Sequence, residues 1–124
     1  MIIELIAVCV AGGVGAALRF VVDGAIRHRH HSSIPLPTMI INVTGSLVLG
    51  LLVGLVLGQV LSQEWQLIVG TGLLGGYTTF STASVETVRL LEDRRWAAAL
   101  LNGIGMLILC SLAAALGYAV GVSV

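Results

Sequence analysis

The 124-residue sequence has no lysine, and only 10% of its residues are charged. Soluble domains carry roughly 25% charged residues. One this small also exposes too large a share of its surface for six arginines and six acids to cover. An ordinary water-soluble domain is therefore excluded. A formal net charge of zero also excludes the basic field that attracts nucleic acid. The two cysteines, Cys9 and Cys110, lie in separate apolar runs without CxxC spacing. They read as small packing residues rather than as a redox pair or metal site. No Ser/His/Asp triad pattern, paired carboxylates, HExxH or phosphate-binding glycine loop occurs, so an enzyme is not expected.

What remains is 57% hydrophobic residues and 16 glycines. A helix crossing about 30 Å of hydrocarbon needs about 20 apolar residues, so four crossings use about 80 and leave about 40 for ends and connections. Apolar runs at residues 2–22, 38–60, 65–91 and 96–122 predict one all-α integral membrane domain of four transmembrane helices, spanning residues 1–124 and solvated by membrane lipid. The first run lacks the basic leader of a signal peptide, carries Glu4 early and is followed by further apolar runs, so it is read as a retained span. Residues 23–37 hold Arg27, His28, Arg29, His30, His31 and both prolines, a polar connection. Its histidines lack the i, i+4 spacing of a helical metal site, which favours a solvated loop.

In the second run Thr38, Asn42, Ser46, Gly50, Gly54 and Gly58 recur every four residues. Small side chains on one helical stripe let helices approach closely where no hydrophobic force drives them together. Asn42 on that stripe reads either as interhelical glue or as the lining of a polar path. The third run contains GGYTTFSTAS at residues 75–84. Gly75 and Gly76 can leave helical angles, and the hydroxyls that follow can bond freed backbone groups. A helix broken at mid-membrane is predicted, with a continuous threonine-rich helix as the alternative. Non-helical backbone at that depth is tolerated where it is buried in protein or lines an aqueous cavity. Its carbonyls suit a cation, and the next half-helix N-terminus suits an anion. The fourth run carries Asn102, Ser111 and a Gly117/Gly121 pair.

With four spans, the connections after the first and third fall on one side of the membrane. All six arginines belong to that side, as Arg27, Arg29, Arg94 and Arg95 in the connections and Arg19 and Arg89 at the adjoining helix ends. The positive-inside rule then predicts cytoplasmic connections and both termini outside. Glu86 and Arg19 fall near the same membrane face, and a pairing between them would offset the desolvation of each.

GGVGAALRF at residues 12–20, PTMIINVTGS at 37–46 and above all GLLGGYTTFSTASVE at 72–86 resemble the Fluc/CrcB family of small fluoride channels over nearly the whole chain. The resemblance implies a multi-pass protein of the cell inner (plasma) membrane that exports fluoride passively through an antiparallel dimer. Each of its two pores is then built by both subunits. It implies a structural sodium ion at the dimer centre, held by backbone carbonyls of Gly75 and Thr78. For the fluoride path it implies Asn42 as a donor, Phe80 as an aromatic lining residue, and Ser81 and Thr82 as hydroxyl donors. Fluoride is small and strongly hydrated, so N–H and O–H donors and the positive edge of an aromatic ring must replace its water.

Two departures bear on the partner. Where the family has a second Phe three residues after the first, this chain has Ala83, and Asn102 and Met106 stand near the positions of an expected Tyr and hydroxyl. A homodimer inserted in both orientations needs balanced charge, whereas six arginines against none favour one orientation. The expectation is therefore a homodimer or, more sharply, a heterodimer with an oppositely oriented paralogue. In the competing readings the chain is a non-conducting or partly degenerate subunit, or a proton-coupled exporter of the small multidrug-resistance type. An exporter of that kind needs a mid-span acid.

Overall fold

The computed structural model describes residues 1–124 and contains only helices and connections. Helix α1 runs over Ile2–Arg29 and α2 over Leu36–Leu57. Helix α3 occupies residues 63–77, with a π-helical stretch at Gln66–Leu74. Helix α4 is Ser81–Glu92, and α5 is Trp96–Ser123, π-helical at Leu101–Gly105. Three helices, α1, α2 and α5, are long and apolar enough to cross a membrane. Only 19 of the 124 residues are buried, and long rows of Ile, Leu and Val on α1 and α5 face outward. Apolar faces of that extent are stable in lipid and not in water. The chain is a multi-pass membrane protein.

Helix α1 extends to Arg29, through the first seven residues of the segment read above as a polar connection, and the true connection is residues 30–35. An Asp23–Arg27 pair one turn apart and basic residues in the last turn favour this extension, because cations complement the negative end of the helix dipole. Proline stops the run at residue 35 and sits inside the first turn of α2 at residue 37, where its missing N–H costs nothing.

The third apolar run is divided between α3 and α4, but not where its glycines suggest. Gly75 and Gly76 lie within helix, and no glycine in the chain has positive φ. The departure from helix begins at Thr78, whose ψ is 161°. Gly76 serves close approach instead. A Cβ there would lie 2.1 Å from the carbonyl oxygen of Gly12 on α1, and one at Gly15 would meet the α3 backbone at Leu73.

The stripe on α2 packs as its spacing predicts. A Cβ at Gly50 would come 2.0 Å from Ala114 O, and one at Gly54 2.6 Å from Tyr118 O. Gly117 and Gly121 on α5 reciprocate against Leu47 O and Leu51 O. The two helices therefore touch backbone to backbone, replacing side-chain interdigitation with van der Waals contact along both axes.

Two helices end at non-glycine residues in left-handed conformation, Gln59 (φ 61°) and Arg94 (φ 56°). Each makes the paired terminal bonds of a Schellman cap. Val60 N and Gln59 N donate to Leu55 O and Val56 O, and Arg95 N and Arg94 N donate to Leu90 O and Leu91 O. Beyond the second cap, the Arg95 guanidinium donates to Ser33 O. That bond joins the connection before α2 to the connection before α5, so the C-terminal end of α1, with Arg27 and Arg29, and the connection with Arg94 and Arg95 sit at one end of the bundle.

Candidate ion path

Thr78 N still donates to Leu74 O and Phe80 O still accepts from Ser84 N, but the backbone groups of Thr79 between them have no helical partners, and Asn42 supplies them. Asn42 Oδ1 accepts from Thr79 N at 2.8 Å, and Asn42 Nδ2 donates to Thr79 O at 2.8 Å. One amide side chain thus satisfies both backbone polar groups of the buried residue Thr79, as a neighbouring strand would. Of the two readings left open for Asn42, the interhelical tie is present. Asn42 also lines a cavity of about 600 Å³ together with Thr78, Phe80, Ala83, Asn102 and Met106. Its remaining amide hydrogen goes to Met106 Sδ at 3.2 Å, a weak acceptor.

Thr79 holds the start of α4. Its hydroxyl donates to Thr82 Oγ1 (3.0 Å), accepts from Thr82 N (3.2 Å) and lies 3.4 Å from Ser81 Oγ. With Thr79 N committed to Asn42, the carbonyl of Gly75 loses the amide that would close the next helical turn. Thr78, in extended conformation, likewise turns its carbonyl out of the helical register. Phe80 is 88% exposed, so its ring projects away from its own chain.

The residues that the family resemblance assigns to the ion sites divide between two cavities. Asn42, Gly75, Thr78 and Phe80 line the first. Ser81 and Thr82 line a second, of about 540 Å³, with Arg27, Glu86 and Arg89. The segment 78–80 and the first turn of α4 are the partition between them. Glu86 does not meet Arg19, which is absent from every ion pair. Its Oε1 accepts from Thr38 Oγ1 at 3.0 Å and lies 3.6 Å from Arg27 Nη2. Helix α1 continues two turns past Arg19, and this carries Arg27 rather than Arg19 to the level of Glu86.

Three contributors visible in the sequence were given no place in the ion path there. Thr38 and Asn102 are both 1% exposed, and Thr79 is buried. Asn102 Nδ2 donates to Thr87 Oγ1 at 2.9 Å and Ala83 O at 3.2 Å, tying α5 to α4. The run of hydroxyls at residues 78–82 was a signal, but which hydroxyl turns inward depends on the non-helical turn. Replacing Asn102 with Ala removes one interhelical clamp while Thr87 keeps its bond to Ala83 O. Destabilisation of about 1 kcal/mol is expected, in the range of polar contacts between membrane helices, read as a lowered melting temperature in detergent.

Comparison with known proteins bears on this geometry. Residues 6–118 match the family described as CrcB-like protein, Camphor Resistance (CrcB). The chain is 56% identical over 117 residues to "Fluoride-specific ion channel FluC 1" of Leifsonia xyli subsp. xyli, covering 94% of this chain and 85% of that protein. It is 46% identical to "Fluoride-specific ion channel FluC 2" of Cutibacterium acnes, covering 92% and 94% of the two chains. It is also 46% identical to the FluC 2 of Mycolicibacterium paratuberculosis, covering 90% and 88%. All three alignments include the Asn42 stripe and the turn at residues 78–80 within a match that leaves few residues over at either end, and the chain belongs to the CrcB-like family.

Proposed function

We propose that this chain is a fluoride-selective ion channel subunit, not an enzyme, that lets fluoride leave the cell passively across the inner membrane. The observation that carries the reading is its identity, over nearly its full length, to proteins named fluoride-specific ion channels. The site chemistry agrees. In the first cavity Asn42 offers an N–H that is spent only on a thioether, which a fluoride ion can outbid because it is a far stronger acceptor. Phe80 offers a ring edge, and Ser81 and Thr82 offer hydroxyls toward the second cavity. These groups replace hydration water without supplying a full positive charge that would trap the ion. The family match leaves the exporter reading without support.

The Phe80 ring is left largely uncovered by its own chain, which supports a path completed by a second subunit in an antiparallel dimer. At the centre of such a dimer, the carbonyls of Gly75 and Thr78 would hold a structural sodium ion. Carbonyl oxygens released from helical bonding are hard donors that fit a hard cation, and two subunits would contribute two each. The ion's positive charge would offset the field of the gathered carbonyls.

An unlike, oppositely oriented partner is the form of the dimer we favour. The arginine-rich end of α1 and the connection with Arg94 and Arg95 share one end of the bundle, which reads as the cytoplasmic end with both termini outside. Ala83 leaves no ring on the groove wall, and relatives carry the names FluC 1 and FluC 2. Proteoliposomes test this with fluoride and chloride efflux, using the chain alone and the chain coexpressed with a paralogue of balancing charge. Fast fluoride efflux without chloride efflux is expected from the pair and slow efflux from the chain alone. Fast selective efflux from the chain alone would remove the need for a partner. No fluoride efflux from either preparation would sink the channel reading.

A further inference from the structure

The second cavity presents an electrostatic difficulty for an anion. Glu86 stands on its wall beside Ser81 and Thr82, with its side chain only 16% exposed. One carboxylate oxygen is bonded by Thr38, while the other, Oε2, is buried without a hydrogen-bond partner. A negative charge so poorly solvated repels fluoride more strongly than one in water would. The nearest compensation is Arg27, 3.6 Å from Oε1.

Arg27 is held there by Asp23, one helical turn earlier on α1. Its Nε and Nη2 donate to the two Asp23 oxygens at 2.7 and 3.1 Å. This bidentate fork fixes the plane of the guanidinium and leaves Nη2 facing both acids. Of the six arginines, Arg27 is the one within ion-pairing distance of any carboxylate. Arg89, on the same cavity wall, has no acid that close and is left to attract the anion.

We infer that Arg27 is a positioning residue for anion passage: held by Asp23, it offsets the charge of Glu86 and keeps the Ser81/Thr82 cavity open to fluoride. The inference rests on the channel reading above, and it concerns a residue on α1 that lies outside the three sequence segments carrying the family resemblance.

Fluoride efflux from proteoliposomes of the full chain, with its partner subunit if one is required, supplies the test. Arg27→Gln is expected to slow efflux about tenfold or more by exposing the anion to an uncompensated carboxylate, with an unchanged elution profile in detergent. Arg27→Lys, which keeps a point charge, is expected to retain most of the rate. The double variant Arg27→Gln/Glu86→Gln is expected to recover to within about threefold of the unmodified channel, because removing one charge of each sign returns the net charge of the Asp23–Arg27–Glu86 cluster to its original value. Raised ionic strength should narrow the deficit of Arg27→Gln. A merely structural role predicts neither the recovery nor the salt effect. Arg27→Gln at the unmodified rate, or a double variant as slow as Arg27→Gln, would overturn the inference. If the unmodified channel passes no fluoride, the channel reading fails and takes the inference with it; slow variants beside a fast parent separate the two cases.

Discussion

Asn42→Ala is expected to cut fluoride efflux from proteoliposomes at least 100-fold while the protein still extracts and elutes as a folded species. The alanine removes both bonds to Thr79 and leaves a peptide N–H and C=O without partners at a buried position. Each stranded group costs about 1–3 kcal/mol, so the turn at residues 78–80 loses about 2–6 kcal/mol of support. Nothing else in the chain is placed to replace the donor and the acceptor together. The turn will instead recover its bonding by closing Thr79 N onto Gly75 O as a continuous helix. That would displace Phe80 and the start of α4, and it would withdraw the carbonyl assigned to the central cation. Asn42→Asp sharpens the test. The carboxylate still accepts from Thr79 N, but it faces Thr79 O with no hydrogen to donate and adds a negative charge beside an anion path. The same loss of flux is therefore expected from a side chain of nearly identical size. Unchanged efflux from either variant would show that Asn42 neither holds the turn nor serves the ion.

Gly117→Val is expected to abolish recovery of monodisperse protein. A Cβ at this position would lie 2.1 Å from Leu47 O and 2.7 Å from Leu51 N. Both neighbours are backbone atoms of α2, so no rotamer change relieves the clash, and the helices must separate along their length. The opposing Gly50 and Gly54 contacts are lost in the same movement. Overpacking of an ordinary core costs about 1–3 kcal/mol because side chains yield; here the yielding element is a whole helix. Gly13→Ala is the control, since a Cβ there meets nothing within 4 Å. It is expected to be neutral or slightly stabilising, as alanine is preferred over glycine in a helix by about 1 kcal/mol. Size-exclusion profiles after detergent extraction distinguish the two, and a monodisperse Gly117→Val would show that α2 and α5 tolerate a wider spacing.

The contrast between these glycines marks where reading a sequence stops. The spacing of Gly50, Gly54 and Gly58 was sufficient to predict a flat packing stripe, because helical periodicity alone places those positions on one face. Gly75 and Gly76 suggest the break because glycine tolerates non-helical angles, yet both are helical and Gly76 is pressed against α1. Glycine's freedom and its small size give the same letter in a sequence, and only a neighbour in space decides which property is used. Arg19 and Glu86 fail for a related reason. Their depth in the membrane was estimated from apolar run lengths, and α1 outlasts its apolar run by a full polar end, so Arg27 arrives where Arg19 was expected.

Composition, run length and charge placement by themselves determined the environment and helical class of the chain, and its motifs determined its family resemblance. These properties are one-dimensional: hydrophobic transfer depends on how many apolar residues follow one another, and a stripe depends on a fixed 3.6-residue repeat. The tertiary structure decided which backbone groups go without helical partners and which side chain serves them. Asn42 lies 37 residues from Thr79, and Arg27 and Thr38 reach Glu86 from two other helices. Those pairings exist because α1 and α2 pack against the two halves of the third run. Their geometry is set by helix-to-helix distances of closest approach, which no local pattern of residues encodes.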